Sequence, residues 1–409
     1  MVKIDPSRLW KSIMETARIG ETPRGGLCRL ALSDEDLEVR DWLTRACEQL
    51  GCSLAVDDMG NMFATRAGWR HDADPICVGS HLDTQPTGGR FDGILGVLAG
   101  LEILRSLDDH GVETEHPIQL INWTNEEGAR FAPAMMGSGV FARAVDKGAV
   151  LASRDRDGVR LGDELTRIGY RGEEPCGRHA LDSYFELHIE QGPVLESEGK
   201  VIGIVEGAQG MRWYDLTVCG SAAHAGTTPM QLRRDALVGA ARIVCDLNEL
   251  AEEMGGGALA TNGVLESTPG SRNVVPDRAF LTIDLRNPDD GVLDVMEERL
   301  DRIVSDRCSN EGLEFQLERI WSSPPVRFDS DCVAAVREAA RRSGQPTREI
   351  LSGAGHDAVY ISRIVPTAMI FIPCEGGLSH NEQENAEQEH VAAGASVLLD
   401  AILERDRAR

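Results

Sequence analysis

The sequence is poor in basic residues: 42 Lys and Arg stand against 67 Asp and Glu in 409 residues, a formal net charge of −25. This balance argues against nucleic acid and anionic membranes as partners. The sequence also lacks any run of eighteen apolar residues, and Met1–Gly20 lacks the apolar core of a signal peptide. We therefore expect a soluble, cytoplasmic protein that binds neither nucleic acid nor membrane.

Two motifs with known chemistry are also missing. The ten cysteines form no C-x-x-C pair, so in a chain of this length they indicate reduced core thiols rather than a disulfide framework or a zinc knuckle. No G-x-S-x-G motif is present either, which argues against a serine nucleophile on a strand–helix elbow. Any catalytic chemistry must come from other residue types.

The chain is longer than one compact core usually holds, so two domains are expected. From Trp213 to Ile320 the predicted elements follow the order βαββαβ, which is that of the ferredoxin-like split βαβ unit. Strands and helices alternate on both sides of this segment. The sequence therefore predicts an α/β protein whose larger domain, residues 1–212 and 328–409, carries a small inserted domain at 213–327.

The most informative stretch runs from His81 to Asp92. An apolar run, Pro75–Gly79, precedes His81, and an apolar helix is predicted from Ile94. The two residues thus lie where a buried strand ends and the next helix begins, the edge at which open α/β sheets bind ligands. An imidazole and a carboxylate together suit zinc. A hydrogen-bonded loop histidine remains the alternative for this pair alone.

A second strand end carries adjacent carboxylates. Glu126 and Glu127 follow the predicted strand Pro117–Trp123. Such a pair is costly at a buried strand end unless a positive charge neutralises it. A solvated acidic turn is the simpler interpretation. One metal ligand beside one general base is favoured, because the same sheet edge already holds His81 and Asp92.

Further histidines complete a set large enough for two metal ions. Four of the ten lie in polar or glycine-rich settings, namely His81, His188, His224 and His380. His224 belongs to the inserted segment, whereas the other three belong to the larger domain. Together with Asp92 and the glutamate pair they give a candidate dinuclear site.

These motifs resemble those of the amidohydrolase branch of the M20 dinuclear metallopeptidase family, the hydantoinase/carbamoylase group. That branch contains N-carbamoyl-L-amino acid hydrolases, β-ureidopropionases and allantoate amidohydrolases. The matching segments occur in family order and span nearly the whole chain: Ser80–Thr84, Phe91–Gly93, Asn125–Gly128, His188–Pro193, His224–Met230, Asp284–Arg286 and Ser379–Glu382.

The resemblance implies a zinc-exopeptidase-like α/β catalytic domain with two divalent metal ions, and an inserted ferredoxin-like lid at 213–327 through which a homodimer forms. Asp92 would bridge the two ions. His81 and His380 would complete one ion's ligands, and Glu127 and His188 the other's. Glu126 would be the general base for attack on the substrate by a hydroxide held between the ions. Zinc is expected first, although manganese, cobalt and nickel tolerate the same ligands.

The resemblance also assigns residues to the substrate. His224 would stabilise the oxyanion, Asn273 and Arg286 would bind the substrate carboxylate, and Gln191 would contact the ureido group. Pairing of Arg286 with Asp284, two residues earlier on the same strand face, is the structural alternative.

Two further residues near these motifs have supporting roles or none. Asp83 is expected to orient His81. His356, in the segment Gly353–Ala358 that also matches the branch, has no ligand role, so it either supports the ligands or is purely structural.

The implied reaction converts an N-carbamoyl-L-amino acid and water into the amino acid, carbon dioxide and ammonia. Allantoate or β-ureidopropionate hydrolysis is the nearest alternative, since the sequence does not place the loops that select a ureido substrate. A peptidase is disfavoured by His188 and Gln191. A non-catalytic binding protein on the same scaffold is disfavoured because Glu126 and all five ligands are present.

Overall fold

The computed structural model describes residues 2–407, which form two compact units. The first contains the chain up to Gly207 and again from Arg327, and the second contains Ala208–Val326. The predicted insertion, 213–327, begins five residues later and ends one residue later than this second unit. Among the described residues, no helix has the length and apolar character needed to cross a bilayer.

The described part of the first unit that precedes the second unit contains seven helices and six strands. Its helices before the second unit are α1 (Pro6–Thr16), α2 (Asp34–Gln49), α3 (Ile94–Asp109), α4 (Met136–Phe141), α5 (Lys147–Ala152), α6 (Leu161–Arg167) and α7 (Val194–Ser197). Its strands there are β1 (Ser53–Val56), β2 (Met62–Arg66), β3 (Ile76–His81), β4 (Ile118–Trp123), β5 (Ser183–Ile189) and β6 (Ile202–Ala208). Helix α2 begins after Ser33, whose side chain accepts the Asp36 N–H.

The second unit is an antiparallel sheet packed against two helices. It consists of β7 (Gly210–Cys219), β8 (Ala223–His224), α8 (Ala236–Met254), β9 (Leu259–Thr261), β10 (Leu265–Thr268), β11 (Val274–Val275), β12 (Arg278–Asn287), α9 (Asp290–Glu311) and β13 (Glu314–Ser323). The main sheet has the order β10-β12-β7-β13, with β9 also pairing with β12. Alternate residues of β7 and β12 are buried and pack in one core with α8 and α9.

One part of the second unit's sheet is interrupted. Residues 259–268 form two short strands, β9 and β10, which both pair with β12. Between them Asn262 Nδ2 donates to the Thr282 carbonyl and the Val264 N–H donates to Thr282 Oγ1, while one backbone bond remains, from the Thr282 N–H to the Val264 carbonyl.

The chain then completes the large sheet of the first unit. The remaining elements are β14 (Val326–Arg327), α10 (Ser330–Ser343), β15 (Thr347–Ser352), α11 (Asp357–Ile361), β16 (Thr367–Ile372) and α12 (Gln388–Arg407). The sheet has the order β1-β2-β4-β3-β5-β16-β6-β14, and β15 pairs with β6. Its central neighbours β4, β3, β5 and β16 are parallel and buried throughout. Their carboxyl ends therefore meet at one edge, as a mixed α/β fold with buried central strands requires.

Helix α3 approaches this edge closely because of its glycines. A Cβ on Gly96 would lie 2.6 Å from the Leu187 carbonyl oxygen, and one on Gly100 would lie 2.6 Å from Leu120 Cδ1. Gly93, just before the helix, has φ +69°. These glycines therefore let the helix pack closely on the sheet.

Candidate metal centre and active site

Five side chains, from the ends of β3, β4 and β5 and from the loop after β16, surround Asp92. Asp92 Oδ1 lies 3.2 Å from His188 Nε2 and 3.7 Å from His81 Nε2, while Oδ2 lies 3.5 Å from His380 Nε2. His380 Nε2 is also 3.4 Å from Glu127 Oε2, and His81 Nε2 is 3.5 Å from Glu126 Oε2. The structure thus brings together all the residues predicted as metal ligands, with Glu126 beside them.

The ligand atoms form two groups that share Asp92. One is His81, Asp92 and His188, the other is Asp92, Glu127 and His380, and in each the atoms lie within 4.8 Å of one another. This grouping differs from the predicted one, which placed His81 with His380 and Glu127 with His188. The physical reason is that the two oxygens of Asp92 face opposite ways, one toward the strand histidines and one toward the His380 loop.

The two strand histidines present the same nitrogen to the centre. The Nδ1 atoms of His81 and His188 lie 2.9 Å from the carbonyl oxygens of Asp83 and Ile189, so hydrogen bonding assigns the proton to Nδ1. Their Nε2 atoms therefore face Asp92, the usual arrangement of histidine metal ligands. Gly93 makes room for this, because a Cβ there would lie 2.2 Å from His81 Cε1.

Asp83 orients His81 as predicted, through its backbone carbonyl. Its carboxylate has a second role and accepts the N–H groups of Glu126 and Glu127, each at 3.2 Å. Burial, followed by the charge of Asp36, raises the pKa of Asp83 to about 7. The carboxylate thus fixes the turn that carries both glutamates, an arrangement the sequence alone did not indicate.

The pKa values around Asp92 reflect burial opposed by charge. Burial raises the pKa of Asp92, but the hydrogen bond with His188 and the nearby imidazoles lower it more, to well below its usual range. Burial lowers the pKa of His188, yet Asp92 raises it to about 9. For His81 burial prevails, and the pKa falls to about 4. A proton and a metal ion would compete for the same Nε2 lone pair of His188.

Both glutamates have pKa values raised well above the ordinary range. Burial is the main cause for each, with Asp357 and then Glu127 adding to it at Glu126, and with Asp92 adding to it at Glu127. Buried carboxylates repel one another in this way when no cation neutralises them.

The residues fit divalent metal ions. Within the described part of the chain, Glu127 Oε1 is buried and has no hydrogen-bond partner, while Oε2 accepts from Gln85 Nε2 at 2.7 Å. An unpaired buried carboxylate oxygen is costly unless a cation binds it. Mixed imidazole and carboxylate ligands, with two groups sharing one carboxylate, suit a pair of borderline divalent ions.

Gln191 lies against the shared carboxylate. Its Nε2 is 3.0 Å from Asp92 Oδ2 and 3.1 Å from Ser379 Oγ. Within the described chain its Oε1 is buried and has no hydrogen-bond partner. Gln191 and His380 both have positive φ, 57° and 54°, and such residues are frequent where a site fixes the backbone.

His224 and Asn273 are neighbours within the second unit. His224 lies opposite Val274 in the β8–β11 pair, and the Ala225 N–H donates to the Asn273 carbonyl at 2.9 Å. His224 Nδ1 accepts the Gly226 N–H at 3.0 Å, so its proton is on Nε2, which becomes a donor.

Arg286 forms the ion pair with Asp284 that the sequence offered as the alternative to substrate binding. Its Nη2 lies 2.6 Å from Asp284 Oδ2, and its Nε also donates to the same carboxylate. A substrate carboxylate would therefore compete with Asp284 for this guanidinium.

Sequence reasoning missed several buried groups around the centre. Glu384 accepts backbone N–H groups of the Asp92 loop. Glu186 accepts from Ser80 Oγ at 2.7 Å and forms, with His188 and His356, a third buried group of ligand-type atoms. His356, for which a supporting or a structural role was predicted from the sequence, has Nε2 3.0 Å from Ser352 Oγ and packs its ring against His188. Alternation along β5 places Glu186 and His188 on one face and could have indicated Glu186.

A family model described as Peptidase family M20/M25/M40 matches residues 77–404. The chain belongs to this family. Among its M20 relatives, an N-carbamoyl-L-amino-acid amidohydrolase of Rhizobium meliloti is 47% identical over 402 residues, which are 98% of this chain and 97% of the relative. An allantoate amidohydrolase of Bacillus subtilis is 31% identical over 388 residues, 94% of each chain.

A solved structure agrees with this assignment. The crystal structure of an amidase of the hydantoinase/carbamoylase family from Burkholderia multivorans is 55% identical, with a TM-score of 0.95, and the match covers 99% of this chain and 98% of that one. The predicted family and its branch are confirmed. This M20 chain is a hydrolase of a metal-dependent family.

Proposed function

We propose that this M20 hydrolase cleaves the ureido C–N bond of N-carbamoyl-L-amino acids, giving the amino acid, carbon dioxide and ammonia. The observation that carries the proposal is the buried carboxylate of Asp92 between two ligand groups, with the carboxylate of Glu126 adjoining but in neither group. The 47% identity with the Rhizobium meliloti amidohydrolase supports this substrate class.

The centre would hold two divalent ions, zinc first, with manganese, cobalt and nickel as alternatives. His81, Asp92 and His188 would hold one, and Asp92, Glu127 and His380 the other. When bound, such ions polarise a carbonyl oxygen and lower the pKa of water.

Glu126 is the proposed proton carrier. Its backbone N–H is held by Asp83, and its Oε2 lies 3.5 Å from His81 Nε2, so it is fixed beside the ligands. Burial raises its pKa well above the ordinary range, and a carboxylate of raised pKa holds a proton at a pH where a solvated one releases it. We therefore assign Glu126 to take a proton from the attacking water and deliver it to the leaving nitrogen.

Four residues would bind the substrate. Gln191 has a buried amide oxygen without a partner among the described residues, which suits an N–H of the ureido group. His224 would donate its Nε2–H to the oxyanion. Asn273, next to His224 in the second unit, and Arg286 would bind the α-carboxylate, for which the guanidinium fork is well matched.

The second unit would be the lid and the dimerisation domain. Its sheet order β10-β12-β7-β13, with all neighbours antiparallel and two helices in one core, supports a ferredoxin-like description. A homodimer formed through this domain is part of the proposal, and size-exclusion chromatography with light scattering tests it.

The substrate test is ammonia release from a panel of ureido acids after the chelated protein is reloaded with each metal. N-carbamoyl-L-amino acids should be hydrolysed faster than their D enantiomers, allantoate and β-ureidopropionate. A clear preference for allantoate would move the protein to the second candidate, which the Bacillus subtilis relative supports. Hydrolysis of peptides but not of ureido acids would refute both.

A further inference from the structure

Glu384 joins two chain segments that are distant in sequence. Its side chain is buried, with 1% relative exposure. Its Oε1 accepts the backbone N–H groups of Phe91 and Asp92, at 3.0 and 3.1 Å. Because Glu384 follows His380 in the last loop of the first unit, one carboxylate connects the loop of Asp92 with the loop of His380.

The other oxygen of this carboxylate completes the link. Ser379 Oγ lies 3.2 Å from Glu384 Oε2 and 3.0 Å from Asp92 Oδ2. Ser379 therefore connects the carboxylate of Glu384 to the carboxylate of Asp92, while Glu384 itself holds the Asp92 backbone.

The surroundings accommodate this side chain closely. A Cβ on Gly89 would lie 2.2 Å from Glu384 Oε1 and Cδ, so only glycine lets the Asp92 loop approach the carboxylate. Such packing indicates one fixed position for the carboxylate.

The two ligand groups depend on Glu384 to different degrees. His81 and His188 lie on β3 and β5, strands buried along their whole length. His380 lies in a loop with φ +54°, and its side chain is 51% exposed. The geometry of the group that contains His380 therefore depends more strongly on contacts that hold its loop in place.

We propose that Glu384 is a positioning residue, which fixes the Asp92 loop against the His380 loop and so sets the affinity of the Asp92–Glu127–His380 group for a divalent ion. The inference rests on the proposed function, because it requires Asp92 to hold metal. Side chains that orient metal ligands contribute about 10- to 100-fold to metal affinity.

Two substitutions distinguish the effect of the length of the Glu384 side chain from the effect of its charge. Glu384→Asp keeps the charge but shortens the side chain, so it cannot reach both N–H groups. Glu384→Gln keeps the reach, since its amide oxygen can accept both N–H bonds while its NH₂ faces Ser379. Glu382→Asp is the matched control, because Glu382 lies in the same loop but accepts from Thr22 Oγ1 at 2.6 Å.

The experiment titrates Co²⁺ into the chelated proteins and follows visible absorption and heat. We expect the wild type and Glu382→Asp to bind two equivalents. Glu384→Asp should bind one of them at least about tenfold more weakly, and Glu384→Gln should keep most of that affinity.

If Glu384→Asp bound both equivalents of Co²⁺ with the affinity of the wild type, this inference would be overturned and the proposed centre would stand. An equal loss in Glu384→Gln and Glu384→Asp would also overturn it, because charge rather than reach would then matter. A wild type that binds no Co²⁺ would overturn the proposed centre and this inference with it.

Discussion

Glu126→Gln removes the proposed proton carrier and little else. The amide has the same size as the carboxylate, the backbone N–H keeps its bond to Asp83, and the side chain belongs to neither ligand group. Metal content should therefore be unchanged. A positioned acid–base group contributes about 10²–10⁴-fold to rate, or about 2.7–5.4 kcal/mol of activation free energy. We expect kcat to fall by that factor with KM nearly constant.

The assay is ammonia release from an N-carbamoyl-L-amino acid under metal-saturating conditions, with metal counted by atomic emission in the same samples. Glu127→Gln is the matched control, because the neighbouring residue does belong to a ligand group and its substitution should reduce bound metal as well as rate. If Glu126→Gln kept kcat within a few-fold of the wild type at full metal content, Glu126 would not carry the proton.

The remaining predictions concern substrate binding and local packing. His224→Ala should lower kcat by about 10²–10³-fold, as loss of an oxyanion donor does, with metal content unchanged; a loss of metal would contradict its assignment. In heterodimers of His224→Ala and Glu126→Gln chains, restored activity would show that His224 serves the partner's site, and no activity would confine each site to one chain. Arg286→Lys should raise KM for N-carbamoyl acids more than about tenfold, because a point charge cannot replace a bidentate fork, but should matter little for the matching amide; equal discrimination between acid and amide by the two proteins would make Arg286 structural. Gly93→Ala should lower the free energy of unfolding by about 1–3 kcal/mol and displace His81. In urea titrations, Gly111→Ala is its control, since Gly111 also has positive φ but nothing within 4 Å of an added Cβ; equal losses would contradict the close contact with His81.

The central parallel strands and the candidate site followed from local patterns. His81 and the Glu126–Glu127 pair each come directly after a buried apolar run, and parallel strands bring such ends to one edge. The strand ends thus indicated a shared site, and the resemblance to the M20 branch selected the five ligand candidates within it. The start of helix α2 is also a local feature, because its cap is formed by the adjacent Ser33.

Features that depend on side-chain direction or on distant segments could not be predicted. The sequence does not indicate which oxygen of Asp92 faces which histidine, so the two ligand groups of the structure differ from those predicted. Asp83 orients His81 through its carbonyl and binds the N–H groups of both glutamates through its carboxylate. The sequence does not indicate that these two groups of one residue have different partners. Glu384 contacts a backbone 292 residues away, and the break between β9 and β10 depends on Thr282 of another strand.

The most direct test of the account is a stepwise metal titration of the chelated protein with ammonia release as the readout. We predict no hydrolysis of N-carbamoyl-L-amino acids without metal, and activity that rises until two equivalents of Zn²⁺ or Mn²⁺ are bound. Full activity in the metal-free protein, or saturation with metal and no ureido hydrolysis at all, would contradict a dinuclear centre that acts on this substrate class.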